Sequence, residues 1–293
     1  MIYTLVDQWQ QKAGITQACR VLNVSRSGYY AARISLQSAE TCAITVHLKA
    51  AFAASGRSYG SRRLVTALKE NKIIIGRYKV RRLMQEAHIK PIWKRKFVNT
   101  TDSKHDLPVA ENILNRQFNP VKPNQAWTSD ITYIRTRSGW LYLAVVMDLY
   151  SRKIIGWAIS PAMPAELVCR ALQMAMGHRQ PPAGLILHSD RGSQYASHAY
   201  QALLNQHGII CSMSRKGNCW DNAVMERFFL NLKMERVWQR DYANHLEASQ
   251  DITDYIVGFY NAVRLHSTLG NMSPMIYERE IAAKELIEVS EII

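Results

Sequence analysis

Three carboxylates in the second half of the chain stand in surroundings that suit chemistry. Asp130 falls inside a β-rich run, AWTSDITYIR, among Trp127, Ile131, Tyr133 and Ile134. A carboxylate in a strand that should be largely buried is unfavourable unless it is paired or bound to a cation. Asp190 ends a second such run, LILHSD, at the mouth of a loop containing Gly192. Glu226 lies in NAVMERFFLNLKMER, part of a helix predicted from about Asp221 to Val237, and 35 residues separate it from Asp190. With the two strands adjacent and the helix beside them, the three acids converge and repel, and divalent cations relieve the repulsion. Oxygen donors without His or Cys companions suit Mg²⁺ or Mn²⁺, not zinc. Two such ions can activate a water or 3′-hydroxyl and stabilise the leaving 3′-oxygen in an in-line displacement at a phosphodiester.

The elements that must hold these residues follow from pattern. AWTSDITYIR, GWLYLAVVMDLYS and KIIGWAIS read as three strands of an antiparallel meander, parted by RSG and SRK turns. Pro164 opens a helix, AELVCRALQMAMGH; LILHSD is the fourth strand, SHAYQALLNQHG a helix ended by Gly208, and IICSMS the fifth strand. The Glu226 helix and a further helix through DITDYIVGFYNAV complete a β-β-β-α-β-α-β-α-α order, an α/β domain with a mixed sheet. Trp127, Trp140 and Trp157 are expected in its core, not as base-stacking platforms.

The first half is different. ITQACRVLNVSRSGYYAAR reads as two short helices with Ile15, Ala18, Val21 and Leu22 on one face, Asn23 in the turn and Ser25 as cap. That spacing fits a helix-turn-helix or a plain packing hairpin. From Ser55 the chain is strongly basic: residues 55–96 hold 13 Lys and Arg against Glu70 and Glu86. Tyr59, Leu64 and Leu68 mark the inner face of one helix, and Val80, Leu83, Met84 and Ala87 that of a second. Arg62, Arg63, Arg77, Lys79, Arg81 and Arg82, then Lys94, Arg95 and Lys96, lie outside those stripes. Solvated helix faces interleave both signs and this one hardly does, which favours phosphate contact.

The expected layout is an N-terminal helical region over 1–54, a basic helix-turn-helix-like region over 55–98, and a Pro-rich linker over 99–122. A catalytic core over 123–280 and a tail over 281–293 complete it. Of the net charge of +14, residues 1–119 carry +13. Charge so segregated attracts a polyanion, and nucleic acid fits better than an acidic membrane, because no Lys-rich amphipathic helix with an aromatic face is present. A hydrophobic content of 47% argues against disorder. The five cysteines form no CxxC pair, as reduced thiols of a cytoplasmic protein would not. MIYTLVDQWQQKAG lacks the pattern of a signal peptide, and LYLAVVMDLY is too short to span a bilayer.

The words WTSDITYI, LYLAVVMDLYSRKIIGW, HSDRGSQYAS, SRKGNCWDNAVMERFF and YNAVRLHSTLGNMSP occur in this order over about 127–274. Together they resemble the DDE transposases and retroviral-type integrases, closest to the B-frame transposases of bacterial two-frame insertion sequences. SYGSRRL and KVRRLM resemble that family's helix-turn-helix-like region. The resemblance implies a ribonuclease-H-like core, Asp130, Asp190 and Glu226 as catalytic ligands of two Mg²⁺ or Mn²⁺ ions, and DNA cleavage and strand transfer. It implies DNA as partner (terminal inverted repeats and target), a homo-oligomer on DNA, and an upstream-frame partner protein carrying a leucine zipper. A basic residue at Lys233, seven positions beyond Glu226 and so on the same helix face, contacts the DNA end in that family; a solvated lysine is the plainer reading. Arg215 and Lys216, in the loop before the Glu226 helix, are placed to hold phosphates. His188 either assists the site or makes a structural hydrogen bond, and Tyr260, Asn261, Arg264 and His266 either touch DNA or brace the Glu226 helix. A plain nuclease would share the metal chemistry without needing so basic an arm. A helix-turn-helix repressor would leave the acidic triad an accident.

Overall fold

The computed structural model describes residues 2–91 and 107–290, and the chain divides into two compact units, Met1–Pro91 and Ile92–Ile293. The first unit is all-helical. Helix α1 (Ile2–Val21) is broken at Gly14, whose φ of 73° is one that side-chain-bearing residues rarely adopt. A turn with Asn23 at positive φ leads into α2 (Arg26–Ala54), capped by the Ser25 side chain, which accepts from the Gly28 N–H. The expected pair of short helices is therefore the end of one element and the start of a 29-residue helix. Ala18 is buried with Val6, Cys19 and Tyr29, whereas Val21, expected inside, is exposed at the helix end. Helices α3 (Ser61–Glu70) and α4 (Arg77–Glu86) pack through Leu64, Leu68, Val80, Leu83 and Met84, the stripes read from the sequence.

The second unit is built on a five-stranded sheet in the order β3-β2-β1-β4-β5. Strands β1 (Ala126–Thr136), β2 (Gly139–Asp148) and β3 (Ile154–Ser160) form the antiparallel meander, while β4 (Ile186–Ser189) and β5 (Ile210–Met213) run parallel to β1. Strand alternation splits the core in two. Trp127, Ala144 and Val146 meet Leu167, Val168, Ala171 and Leu172 of α5 (Ala165–Arg179) and Tyr200 and Leu204 of α7 (His198–Gln206); the short α6 (Ser193–Ala196) precedes α7. On the other face Ile134, Leu143, Val145 and Met147 meet Phe228, Phe229 and Leu232 of α8 (Ala223–Glu235) and Ile252 of α9 (His245–Asp254). Gly156 brings β3 against α5 so closely that a Cβ there would lie 2.2 Å from the Ala171 carbonyl.

Four details differ from the sequence reading. The described part of the expected linker is fastened to the catalytic unit: Leu114 is buried with Ala126 and Leu149, and Arg152 donates to the Phe118 carbonyl and the Asn119 side chain. A 3-10 turn (Cys219–Asn222) precedes the Glu226 helix, and α9 continues as a π-helical turn, Tyr255–Asn261. The expected tail is helical to Ser290 as part of α10 (Pro274–Ser290). Cys19, Cys42, Cys169 and Cys211 are free thiols. No helix of the described residues is long and apolar enough to cross a membrane.

Candidate active site

β1 and β4 pair in parallel as Ala126↔Ile186, Trp127↔Leu187 and Thr128↔His188. Asp190 lies just past the end of β4, and Asp130 two residues beyond the last pair on β1. The charge of Asp190 bears on Asp130, so the two carboxyls stand near one another where the pairing of β1 with β4 ends. The Asp130 Oδ1 accepts from the Ile131 N–H at 2.8 Å, and the Asp190 Oδ1 from the Gly192 N–H at 2.9 Å. A Cβ on Gly192 would stand 3.1 Å from that Asp190 oxygen, so a glycine here lets the loop close on the carboxylate.

Glu226 arrives on the first turn of α8, and the start of that helix is tied directly to β1. The Asn222 side chain accepts from the Thr128 hydroxyl at 2.7 Å, two residues from Asp130. Just before it, the fully buried Asp221 pairs with Arg116 at 2.8 Å, takes the Asn112 amide and accepts from the Arg215 N–H. Burial pushes the Asp221 carboxyl up, but these partners outweigh it and hold the pKa below the usual value. Asp221 and Asn222 lie inside the word SRKGNCWDNAVMERFF, but the sequence reading assigns neither of them a role at the site.

The electrostatics record the convergence. Burial raises the Asp130 carboxyl well above the ordinary carboxylate range, and the charge of Asp190, then that of Glu226, adds to it. The Ile131 N–H and the Lys233 ammonium oppose the rise. Burial lowers the Lys233 pKa while Asp130 supports the charged form, and its Nζ sits 4.4 Å from the Tyr133 ring centroid. Among the described residues, no three His, Cys, Asp or Glu side chains are gathered closely enough to hold a metal ion as they stand. The three carboxylates sense one another without meeting at ligand distance. Their all-oxygen donor set and mutual repulsion fit a hard divalent cation.

Other expected residues sort clearly. His188 is buried, its Nδ1 2.9 Å from the Ser212 hydroxyl and its Nε2 3.2 Å from that of Ser214. Burial lowers its pKa to about 4, so it is a neutral residue linking β4 to β5, as the structural reading has it. Arg264 and Asn261 brace: Arg264 forms a buried bidentate pair with Glu235 on α8, and the Asn261 side chain bonds both the N–H and the carbonyl of Ile154. Tyr260 packs edge-on against Phe228 of α8 and against His266. The Arg215 guanidinium is engaged by Asn115 and Asp221, while Lys216 is exposed. In the helical unit Arg62, Arg77, Arg81 and Arg82 are exposed, Lys79 is half-buried, and Arg63 lies over the Tyr59 ring. Lys94, Arg95 and Lys96 lie outside the described residues. Trp127 is core and Trp157 half-buried, but Trp140 is 44% exposed, against expectation, because it sits at the tip of the β1–β2 hairpin.

Residues 120–219 and 207–274 match the integrase core domain, and residues 40–97 an HTH-like domain. An insertion element IS600 uncharacterized 31 kDa protein of Shigella sonnei is 46% identical over 89% of this chain and 97% of its own length. The transposase InsF for insertion sequence IS3A of Escherichia coli (strain K12) is 41% identical over 96% of this chain and 99% of its own. The HTLV-2 integrase catalytic core domain in complex with magnesium (dimeric form) superposes with a TM-score of 0.42 at 17% identity, over 53% of this chain and 96% of that one. The chain belongs to the integrase-core transposases of IS3-type insertion sequences, a polynucleotidyl transferase family.

Proposed function

We propose that this transposase cleaves and joins DNA at the ends of its insertion sequence, with Asp130, Asp190 and Glu226 as ligands of two Mg²⁺ or Mn²⁺ ions. The observation that carries the reading is the Asp130 carboxyl, raised by burial and by the charges of Asp190 and Glu226. Such an arrangement is unfavourable alone and is relieved by divalent cations. Bound there, the ions would supply activation of a water or 3′-hydroxyl and stabilisation of the leaving 3′-oxygen. The protein's part is positioning. The Ile131 and Gly192 N–H groups each hold one carboxylate oxygen, and the Thr128–Asn222 bond keeps the Glu226 helix against β1. Lys233 supplies a cation beside Asp130 that can hold a phosphate of the DNA end, and the exposed Arg62, Arg77, Arg81 and Arg82 supply sequence-independent affinity. The active form is a homo-oligomer on DNA, completed by a protein from the upstream frame.

Candidate element ends incubated with the protein, Mg²⁺ and plasmid, followed by sequencing of the joints, test this. Asp130→Asn, Asp190→Asn and Glu226→Gln should each abolish cleavage and joining while DNA binding stays nearly intact. A variant retaining a tenth of wild-type cleavage would remove that residue from the ligand set. Cleavage without joining of a 3′-hydroxyl end would make the protein a nuclease instead.

A further inference from the structure

Near the turn of the β1–β2 hairpin, three side chains form a row that the reaction described above does not use. The Tyr133 and Trp140 rings meet edge to face, centroids 5.1 Å apart at 79°, and the Arg135 guanidinium lies over the indole at 5.2 Å. Arg135 and Trp140 are direct cross-strand partners, both exposed, and Tyr133 is half-buried. The row adjoins the carboxylate site through Lys233, which lies over the free end of the row on Tyr133 and beside Asp130. At about 3.4 Å per residue, Tyr133 is about 10 Å and Arg135 about 17 Å along β1 from Asp130. Among the described residues β1 pairs with β4 only through Ala126–Thr128, so this stretch of β1 has no strand on that side.

We propose that Tyr133, Trp140 and Arg135 form a stacking surface for unpaired bases of the DNA strand leaving the carboxylate site, with Lys233 holding a phosphate at the junction. This rests on the strand-transfer reading for its partner. An exposed indole is poorly placed for stability, and aromatic rings interleaved with cations are what an unpaired nucleic acid strand binds: every base offers a π-face and every phosphate a charge. A cross-strand Arg–Trp pair could serve the hairpin alone, but it would then have no bearing on DNA.

The test uses the full chain and two DNA probes of one sequence, a fully paired duplex and a forked duplex with unpaired terminal nucleotides. Wild type should prefer the forked probe. Trp140→Ala should lower forked-probe affinity about 5- to 150-fold, the range that base stacking on an aromatic side chain supports, and leave the paired probe unchanged. Trp140→Phe should keep most of the preference, and 5-iodouracil in the unpaired end should crosslink to the peptide containing Trp140. No forked preference in wild type, an unchanged preference in Trp140→Ala, or an equal loss on both probes would each overturn the proposal. Binding needs no chemistry, so these outcomes are independent of whether Glu226→Gln abolishes joining.

Discussion

Arg264→Leu should be among the most damaging single changes outside the acidic triad. Arg264 donates from Nε and Nη2 to both oxygens of Glu235, at 2.8–3.1 Å, and the Tyr255 hydroxyl adds a third donor at 2.6 Å. Both side chains of the ion pair are only 2% exposed. Removing the guanidinium leaves a buried carboxylate with one neutral donor, and breaking a buried pair from one side costs about 3–5 kcal/mol. At about 2–4 °C per kcal/mol for a domain of this size, the melting temperature should fall by roughly 6–20 °C. Most of that loss comes from the stranded charge, so neutralising it should help. Arg264→Leu with Glu235→Gln keeps an acceptor for Tyr255 and should recover at least half, the remainder being lost hydrogen bonds at about 1 kcal/mol each. Glu235 lies nine residues beyond Glu226 on α8, so strand transfer should fall in the single variant and partly return in the double. Thermal and urea unfolding of the three proteins decide the matter. A single variant within about 1 kcal/mol of wild type, or a double variant no better than the single, would refute the reasoning.

Acid should act on the catalytic unit through His188, whose pKa of about 4 in the fold lies below its free value, so the unfolded chain binds more protons between pH 6.5 and 4. That contribution is complete above about pH 6.5 and lost as pH falls towards 4; His188→Asn should therefore gain about 2–3 kcal/mol on wild type between pH 7 and 4.5 by urea titration. Asp148, raised to about 6 by burial, works in the opposite direction over pH 4–6, and a carboxyl titrating near 6 by NMR would verify it. A fragment of residues 1–91 should bind duplex DNA with a salt slope of about −3 to −4, as four phosphate contacts by Arg62, Arg77, Arg81 and Arg82 require; salt-independent binding would exclude that face. Lys233→Ala should lower the yield and salt resistance of joined products with Mg²⁺ affinity unchanged, and Lys233→Arg should be milder; joining equal to wild type at every salt concentration would leave Lys233 a plain helix lysine.

What was legible in the sequence was what depends on short-range pattern. The β-rich runs around Asp130 and Val145 and the 3.6-residue stripes of Leu64, Leu68, Val80 and Leu83 are local patterns, and the structure buries those stripes as read. The long α2 was cut short because its stretch from Ser35 to Thr41 is mostly polar, so the apolar stripe fades although the helix does not. The expected linker was judged by its prolines and polar residues. Its anchoring instead depends on Leu114 and Arg116 finding Leu149 and Asp221 elsewhere in the chain.

The candidate site divides along the same line. Asp130, Asp190 and Glu226 stand out in the sequence through their surroundings, their spacing and the words that flank them, but what positions them is made of ordinary polar residues acting over long separations. Thr128 reaches Asn222 across 94 positions, and Asn112 reaches Asp221 across 109. No local pattern encodes either bond, and only the folded sheet brings the partners together. Trp140 shows the converse error. Its composition argued for the core, but it lies next to the Gly139 turn, one position beyond the last well-covered residue of β2, Leu141. Strand alternation and proximity to a turn send it outward, where its ring meets Arg135 in place of an apolar neighbour. A tryptophan at a hairpin tip is therefore better read from its distance to the turn than from its hydrophobicity.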